Sequence, residues 1–328
     1  MRIVVLGTGP FAVPLFQSLV DSRHEILALI TRPTPPAKGR EKAPPNPMRD
    51  LAEQRGLTVH APESVNSEEG LILIRSLQPD LLVVCDYGQI LSAEALGIAR
   101  LGGINVHASL LPKYRGAAPI QWALLHGESE TGVSVIHMTP RLDGGPILAV
   151  RATLISSDET QLALEDRLAH LGIEAVHEAI DLLGKWDRAS PIGTPQDPQL
   201  ATKAPRLKKE HGLIDWQRTA EQIRNQVRAL KPWPGTFTFW SRPGHEPLRI
   251  VIDRVSILGL GIRAAAMVDS SAPVHQPGEV VVSDRQQLIV ATGDGGLSLI
   301  NVQPAGKRVM PVADFLHGYH IREGERLG

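Results

Sequence analysis

Asn105, His107 and Asp143 are the residues whose types and spacing could do chemistry. Asn105 and His107 stand two apart at the end of a predicted strand, GGINVHA, so their side chains share a face. Asp143 lies in the Gly-Gly-Pro turn of LDGGPIL, at the end of a second predicted strand. An amide, an imidazole and a carboxylate converging on adjacent strand ends would provide an oxyanion donor set and an acid/base pair. No serine or cysteine nucleophile is needed for such chemistry. Singly, each has an ordinary structural use: a satisfied core histidine, a strand-end cap, an Asp-Gly turn. The juxtaposition is what points to catalysis.

Those residues need elements to position them. RIVVL (2–6) is a continuous β-rich run entering Gly7-Thr8-Gly9, which reads as a buried parallel strand and a tight turn, not as a leader peptide. Pro10 suits the first turn of the helix that follows. Further strands are expected at 24–30, 57–61, 79–86, 102–108 and 133–138, with helices at 69–77, 119–127 and roughly 161–183. Strands alternating with helices predict a doubly wound α/β sheet, whose sites sit at the carboxyl ends of its strands. Residues 31–50 hold six prolines, one glycine and five basic residues, and predict a long exposed loop.

The chain changes character at 184–210, where four prolines and few large apolar residues predict a linker. A helix at 219–230 then precedes short strands at 235–240, 248–258, 278–284, 287–295 and 297–306, with a last helix at 312–319. Short strands at close spacing with glycine turns predict a small antiparallel barrel. The fold class expected is therefore α/β: a Rossmann-like doubly wound sheet over 1–185, a linker over 186–210 and an OB-like β-barrel over 211–328.

Composition sets bounds on function. The 328 residues carry 42% hydrophobic side chains and a net charge of −1, which disfavours an indiscriminate nucleic-acid binder. Between Lys203 and Arg249, however, ten Lys/Arg face four Asp/Glu, with Trp216, Trp233, Phe237, Phe239 and Trp240 among them. Basic residues beside aromatics suit phosphates, although a solvated face beside an aromatic core reads the same way. Cys85 is the single cysteine, so no internal disulfide or Cys-rich zinc site is possible, and a reducing, cytoplasmic setting is expected. No metal is expected, no membrane span is expected, and a monomer is anticipated.

The stretch HASLLPKYRGAAPIQWAL closely resembles the signature segment of formyltransferases that use N10-formyltetrahydrofolate, and LDGGPIL resembles their aspartate loop. The Ala117-Ala118-Pro119-Ile120-Gln121 run after Arg115-Gly116 looks like the branch acting on tRNA. GLIDW (212–216), IRNQVRALKPWPGTFT (223–238) and VQPAGKRVMPVADFLHGYHIREG (302–324) resemble the C-terminal domain of the methionyl-tRNA formyltransferases. The resemblance implies formyl transfer from N10-formyltetrahydrofolate, a co-substrate, to the α-amine of initiator Met-tRNA. Asn105 and His107 would then stabilise the oxyanion, and Asp143 would take the amine proton and orient His107. It further implies a folate slot at Tyr87, Gly88, Ile90, Leu91, at Ser109, Leu110, Leu111, Pro112, and at Gly144, Gly145, Pro146. Asp86 departs from the small residue expected before Tyr-Gly. For tRNA, the resemblance points to the basic loop through Lys38, Arg40 and Lys42. Arg206, Lys208, Lys209, Arg224 and Arg228 are the phosphate contacts expected near the barrel.

Other readings stay in view. Gly7-Thr8-Gly9-Pro10-Phe11-Ala12 fits a dinucleotide fingerprint, but the second strand ends in Thr31-Arg32 instead of an acidic residue. A sugar-nucleotide formyltransferase shares the Asn, His and Asp pieces, and a non-catalytic RNA-binding protein built from the basic barrel and an inactive α/β domain is opposed by the intact Asn105, His107 and Asp143.

Overall fold

Residues 2–7 show why a parallel sheet forms. Ile3, Val4, Val5 and Leu6 are all 0% exposed, buried on both faces as only a sheet covered twice allows. Each such side chain contributes about 1.5–3 kcal/mol when withdrawn from water. In this computed structural model, which describes residues 1–34, 45–242, 244–258 and 275–328, that run is β1 (Arg2–Gly7). It is joined by β2 (Glu25–Ile30), β3 (Val59–His60), β4 (Leu81–Cys85) and β5 (Gly103–His107) in parallel. The short β6 (Arg115–Gly116) leaves the sheet, and β7 (Glu130–His137) and β8 (Ile147–Leu154) complete it in the order β3-β2-β1-β4-β5-β7-β8.

The doubly wound expectation holds for five strands and stops there. β7 runs antiparallel to β5, with His137 opposite Ile104 and Ser134 opposite His107, and β8 returns antiparallel to β7. Helices cover the faces: α1 (Val13–Val20), α2 (Pro47–Gln54), α3 (Glu68–Leu77), α4 (Ala93–Ile98), α5 (Pro119–Leu125) and the long α6 (Gln161–Gly184). One face packs Val4, Leu6, Ile30, Leu82 and Val84 against Leu71, Ile74, Ala95 and Leu96 of α3 and α4. Ser67 and Ser92 cap these two helices by accepting the N–H of Gly70 and Ala95.

Two expectations need correction. The stretch 31–50 is not irregular throughout: Asn46 accepts the Arg49 N–H as N-cap, Pro47 fills the first helical position and α2 begins. Met48 is fully buried, so the helix has an apolar face that proline counting hides. Residues 186–210 are not a free tether either. Thr194 exchanges both backbone hydrogen bonds with Ile147, and β9 (Lys203–Ala204) pairs in parallel with β6. Residues 163–206 accordingly belong to the same compact unit as 1–120 and 129–156.

The second unit comprises 121–128, 157–162 and 207–328. Its antiparallel sheet runs β10 (Phe237–Trp240), β11 (Leu248–Leu258), β14 (Gly296–Pro304), β13 (Leu288–Ala291), β12 (Val280–Ser283), with β15 (Met310–Pro311) on β14. The sheet curls as a barrel does: Leu327 bridges to Trp240 beyond one edge and Arg326 to Glu279 beyond the other. Inside lie Trp216, Trp240, Ile250, Ile252, Val290, Leu299 and Phe315. α7 (Ala220–Ala229) starts on a capping box in which Thr219 and Gln222 bond each other's backbone, and α8 (Val312–Gly318) adds Phe315 and Leu316. Among the described residues no helix is long and apolar enough to cross a membrane.

Candidate active site

β5 delivers two of the three candidate residues. Asn105 pairs between Val84 and Ile136 and is half-buried, while His107 ends the strand at 6% exposure. The chain then folds back on itself. Ser109 N–H donates to His107 O at 2.9 Å, Ser109 Oγ donates to Lys113 O at 2.6 Å, and Lys113 N–H reaches Leu110 O. From β7, the fully buried Ser134 donates Oγ to Ser109 O at 2.7 Å and accepts Leu111 N–H at 3.0 Å. Tyr114 N–H donates to Thr202 Oγ1 at 2.8 Å. These bonds fix a loop that Ala108, Leu111 and Tyr114 also anchor by burial.

That loop sets the histidine. Nε2 of His107 lies 2.8 Å from Tyr114 O, a carbonyl that can only accept, so Nε2 carries the proton. Tyr114 presents this carbonyl from a left-handed conformation, φ +62°. Nδ1 then faces Asp143 Oδ2 at 3.7 Å, in a pair whose side chains are 6% and 10% exposed. The ring attracts the carboxylate only when Nδ1 is protonated as well, which makes this edge the one able to trade a proton.

Asp143 arrives by a route the sequence does not show. The sequence reading puts it on a strand end adjacent to β5. Because β7 is antiparallel, its carboxyl end lies beside the start of β5, and the loop 138–146 must carry Asp143 back to His107. The turn is tight: Asp143 itself is left-handed at φ +49°, and a Cβ on Gly145 would collide with His137 O. Gly116 N–H, from β6, donates to Asp143 Oδ2 at 2.8 Å. Gln196 holds the loop backbone, donating Nε2 to Asp143 O at 2.8 Å and Gly145 O at 2.7 Å. Its Oε1 in turn accepts from Arg115 Nε and Nη2 at 3.1 and 2.6 Å. Sequence reasoning misses Gln196, Arg115, Gly116, Ser134 and Thr202. Gln196 sits in an aperiodic Pro-rich stretch that gives no signal.

The remaining candidates divide by exposure. Tyr87 (2%) and Leu91 (1%) face the core with Val65 and Ala95, and Ser109 and Leu111 are buried in the loop just described. Burial lifts the Tyr87 phenol to about 12, partly offset by the Arg32 charge. Ile90 at 59% and Gly88 remain open, while Leu110, Pro112, Gly144 and Pro146 are half-buried. Leu142, beside Asp143, is an apolar side chain left 55% exposed.

Lys38, Arg40 and Lys42 lie outside the described residues. Arg206, Lys208 and Lys209 are exposed, with Lys208 Nζ 3.5 Å from Glu210. Arg224 is half-buried between Asp158 and Glu221. Arg228 is 8% exposed, donating Nε to Asn225 Oδ1 and Nη1 to Glu159 O, and burial lowers its pKa. Among the described residues no three His, Cys, Asp or Glu side chains are grouped to hold a metal ion.

Against known protein families, residues 1–180 match the formyl transferase family and residues 206–320 the formyl transferase C-terminal domain. A methionyl-tRNA formyltransferase of Rhodopirellula baltica is 46% identical over 100% of this chain and 96% of that protein. One from Moorella thermoacetica is 41% identical over 100% and 99%. Among solved structures, WlaRD, a sugar 3N-formyl transferase crystallised with dTDP and 5-N-formyl-THF, superposes with TM-score 0.63 at 16% identity, covering 94% of this chain and 99% of that one. HypX of Aquifex aeolicus, in complex with tetrahydrofolic acid, gives 0.59 at 17% identity over 96% of this chain. The chain spans about half of HypX, 47% of its length. At such identities the two structures speak for the fold alone.

Proposed function

The chain belongs to the formyl transferase family, and on that premise we propose how it works: it moves the formyl group of N10-formyltetrahydrofolate onto the α-amine of initiator methionyl-tRNA. The observation that carries this reading is the His107–Asp143 pair, almost dry and 3.7 Å apart, beside Asn105 on the same strand face as His107. Full-length identity of 39–46% to methionyl-tRNA formyltransferases supports the acceptor. The sugar formyltransferases resemble this chain at only 14–17%.

The amine attacks the formyl carbon in its neutral form, and negative charge develops on the formyl oxygen. Asn105 donates to that oxygen, in a place where charge appears only in the transition state. Asp143 Oδ2 takes the amine proton, directly or through Nδ1 of His107, and His107 returns it to the departing nitrogen. Tyr114 O fixes the tautomer, and Gly116 N–H holds the carboxylate in line. Folate supplies the activated formyl group. Gly88, Ile90, Leu110, Pro112 and the 142–146 turn hold its ring, while Tyr87, Leu91, Ser109 and Leu111 shape the slot from behind.

Exposed Arg206, Lys208 and Lys209 meet tRNA phosphates, with the 31–50 loop and Arg224 assisting and Arg228 bracing its neighbours. We assign catalysis to the first unit and divide tRNA binding between it, through Arg206 and the 31–50 loop, and the second, through Lys208, Lys209 and Arg224. A monomer working in the cytoplasm fits this use, and Cys85 is buried there with its thiol pushed up by burial.

Transfer of labelled formyl to purified initiator Met-tRNA, beside elongator Met-tRNA, free methionine and an amino-sugar nucleotide, tests the reading. Label on the initiator alone supports it. Label on the sugar nucleotide alone would keep the family and overturn the acceptor.

A further inference from the structure

The strand order β3-β2-β1-β4-β5 reverses direction between β1 and β4, so their carboxyl ends open the crevice where α/β sheets take ligands. The last pair across that seam is Gly7 opposite Cys85, and the next bond, Thr8 N–H to Asp86 O, is 3.1 Å. Asp86 therefore stands at the floor of the crevice. Extending the β4–β5 register from Val84 opposite Asn105 sets Asp86 level with His107, one strand away. None of the roles described above uses Asp86.

Its geometry is unusual. Asp86 is left-handed, φ +49°, which swings its side chain off the strand alternation. The carboxyl comes to rest on Gly9, where any Cβ would collide with Oδ2. The residue stays exposed, yet neighbours crowd its carboxyl, as at the bottom of a cleft. That crowding, followed by the negative charge of Glu165, lifts the carboxyl to about 6, so at neutral pH it is still an ionised acceptor. Arg32, at the end of β2, reaches the same rim: a Cβ on Gly88 would meet its Nη1 at 3.3 Å. A carboxylate and, beside Gly88 two residues further on, a guanidinium match a sugar hydroxyl and the phosphate attached to it.

We propose that Asp86 binds the terminal ribose of the aminoacylated tRNA, its carboxylate accepting a hydrogen bond from the free 2′-hydroxyl while Arg32 faces the adjoining phosphate. In dinucleotide-binding folds an acidic residue after the second strand takes a ribose hydroxyl. Here that strand is followed by Thr31-Arg32, and the carboxylate comes from the residue after β4 instead. From the 2′-hydroxyl, the 3′ ester is short enough to bring the methionyl amine to the neighbouring strand end, where His107 waits. The inference deepens the acceptor reading given above and rests on it.

The test is a two-by-two comparison. Initiator tRNA carrying 3′-linked methionine is prepared with a ribose or a 2′-deoxyribose at its last nucleotide. Each is then assayed with wild-type enzyme and with Asp86→Ala. A hydrogen bond to a charged acceptor is expected to make the wild-type KM about tenfold higher for the deoxy tRNA. Asp86→Ala should show the same raised KM for both tRNAs, with the KM for formyl donor unchanged. Equal penalties in the two enzymes, or none in the wild type, overturn the proposal, and so does a KM change confined to the folate. Equilibrium binding of the same tRNAs reads the crevice without turnover. Wild-type transfer that ignores the missing hydroxyl would reject the Asp86 role alone, whereas absent transfer to any tRNA would reject the acceptor reading. Asp86→Gly, which suits the left-handed backbone and removes the acceptor, replaces the alanine variant if that one folds poorly.

Discussion

The two compact units turn their chains by different means. Among the described residues of the unit of 1–120, 129–156 and 163–206, five non-glycine residues adopt left-handed backbone, and three of them, Asp86, Tyr114 and Asp143, stand at or beside the candidate site. Among the described residues of the other unit, every residue with such a backbone is a glycine, as at Gly235, Gly278, Gly295 and Gly306. Left-handed side chains cost of order 1–3 kcal/mol each and persist only where surroundings over-determine them. In the first unit the hydrogen bonds of Ser134, Thr202 and Gln196 supply that constraint around Tyr114 and Asp143. The second unit makes its left-handed turns with glycines, where such backbone carries no Cβ penalty.

The sharpest break in this comparison comes from chemistry. His107→Ala should lower kcat by about a thousandfold with little change in KM for tRNA. Replacing Lys208 and Lys209 together by Ala should raise the KM for tRNA several-fold, in a way that fades with added salt, and leave kcat alone. Steady-state kinetics at two salt concentrations separates them.

Next comes glycine. A Cβ at Gly116, φ +130°, would collide with Ala204 O, so Gly116→Ala should lose about 3 kcal/mol and pull its N–H from Asp143. Gly306, φ +75°, has nothing within 4 Å of such a Cβ, and Gly306→Ala should lose only about 1 kcal/mol. Chemical denaturation of both variants checks the contrast, and equal losses would undo it.

Gln196→Ala should cost about tenfold in kcat, because a misplaced carboxylate weakens proton transfer, and should leave donor and acceptor KM in place. Unchanged kcat would mean that the 138–146 turn holds itself. The smallest effect is on stability. The Asp86 carboxyl is raised from 3.8 to about 6 in the folded chain. Between those values the native state holds a proton that the unfolded state has lost, so stability falls as pH rises from about 4 to about 6. Asp86→Asn should therefore raise Tm above pH 6, with the gain vanishing below about pH 4. A gain independent of pH would point to packing instead.

Much of this was legible in the residues. RIVVL and PDLLVVCD announce buried parallel strands because nothing polar interrupts them, and the barrel strands fall where short runs between glycine turns were expected, although β13 stops at Ala291 and is buried throughout where a strand to 295 was expected. Asn105 and His107 could be paired on one face from their spacing alone. What stayed hidden depends on partners distant in sequence. The antiparallel turn of β7 follows from its pairing with β5, not from VSVIHM. The bracing of Asp143 by Gln196 spans 53 residues and uses backbone oxygens that have no sequence signature. The helix at Pro47 was masked by its prolines, although Asn46-Pro47 is an N-terminal signal in itself.

The account stands on Asp143 acting as the base that a strained turn aims at His107. A single-turnover measurement of formyl transfer by Asp143→Asn, with initiator Met-tRNA and formyl donor both saturating, addresses that directly. The amide keeps the size and the Gly116 contact but cannot take a proton. A rate reduced at least about a hundredfold, with unchanged tRNA affinity, is the predicted result. A rate within a few-fold of wild type would contradict the assignment.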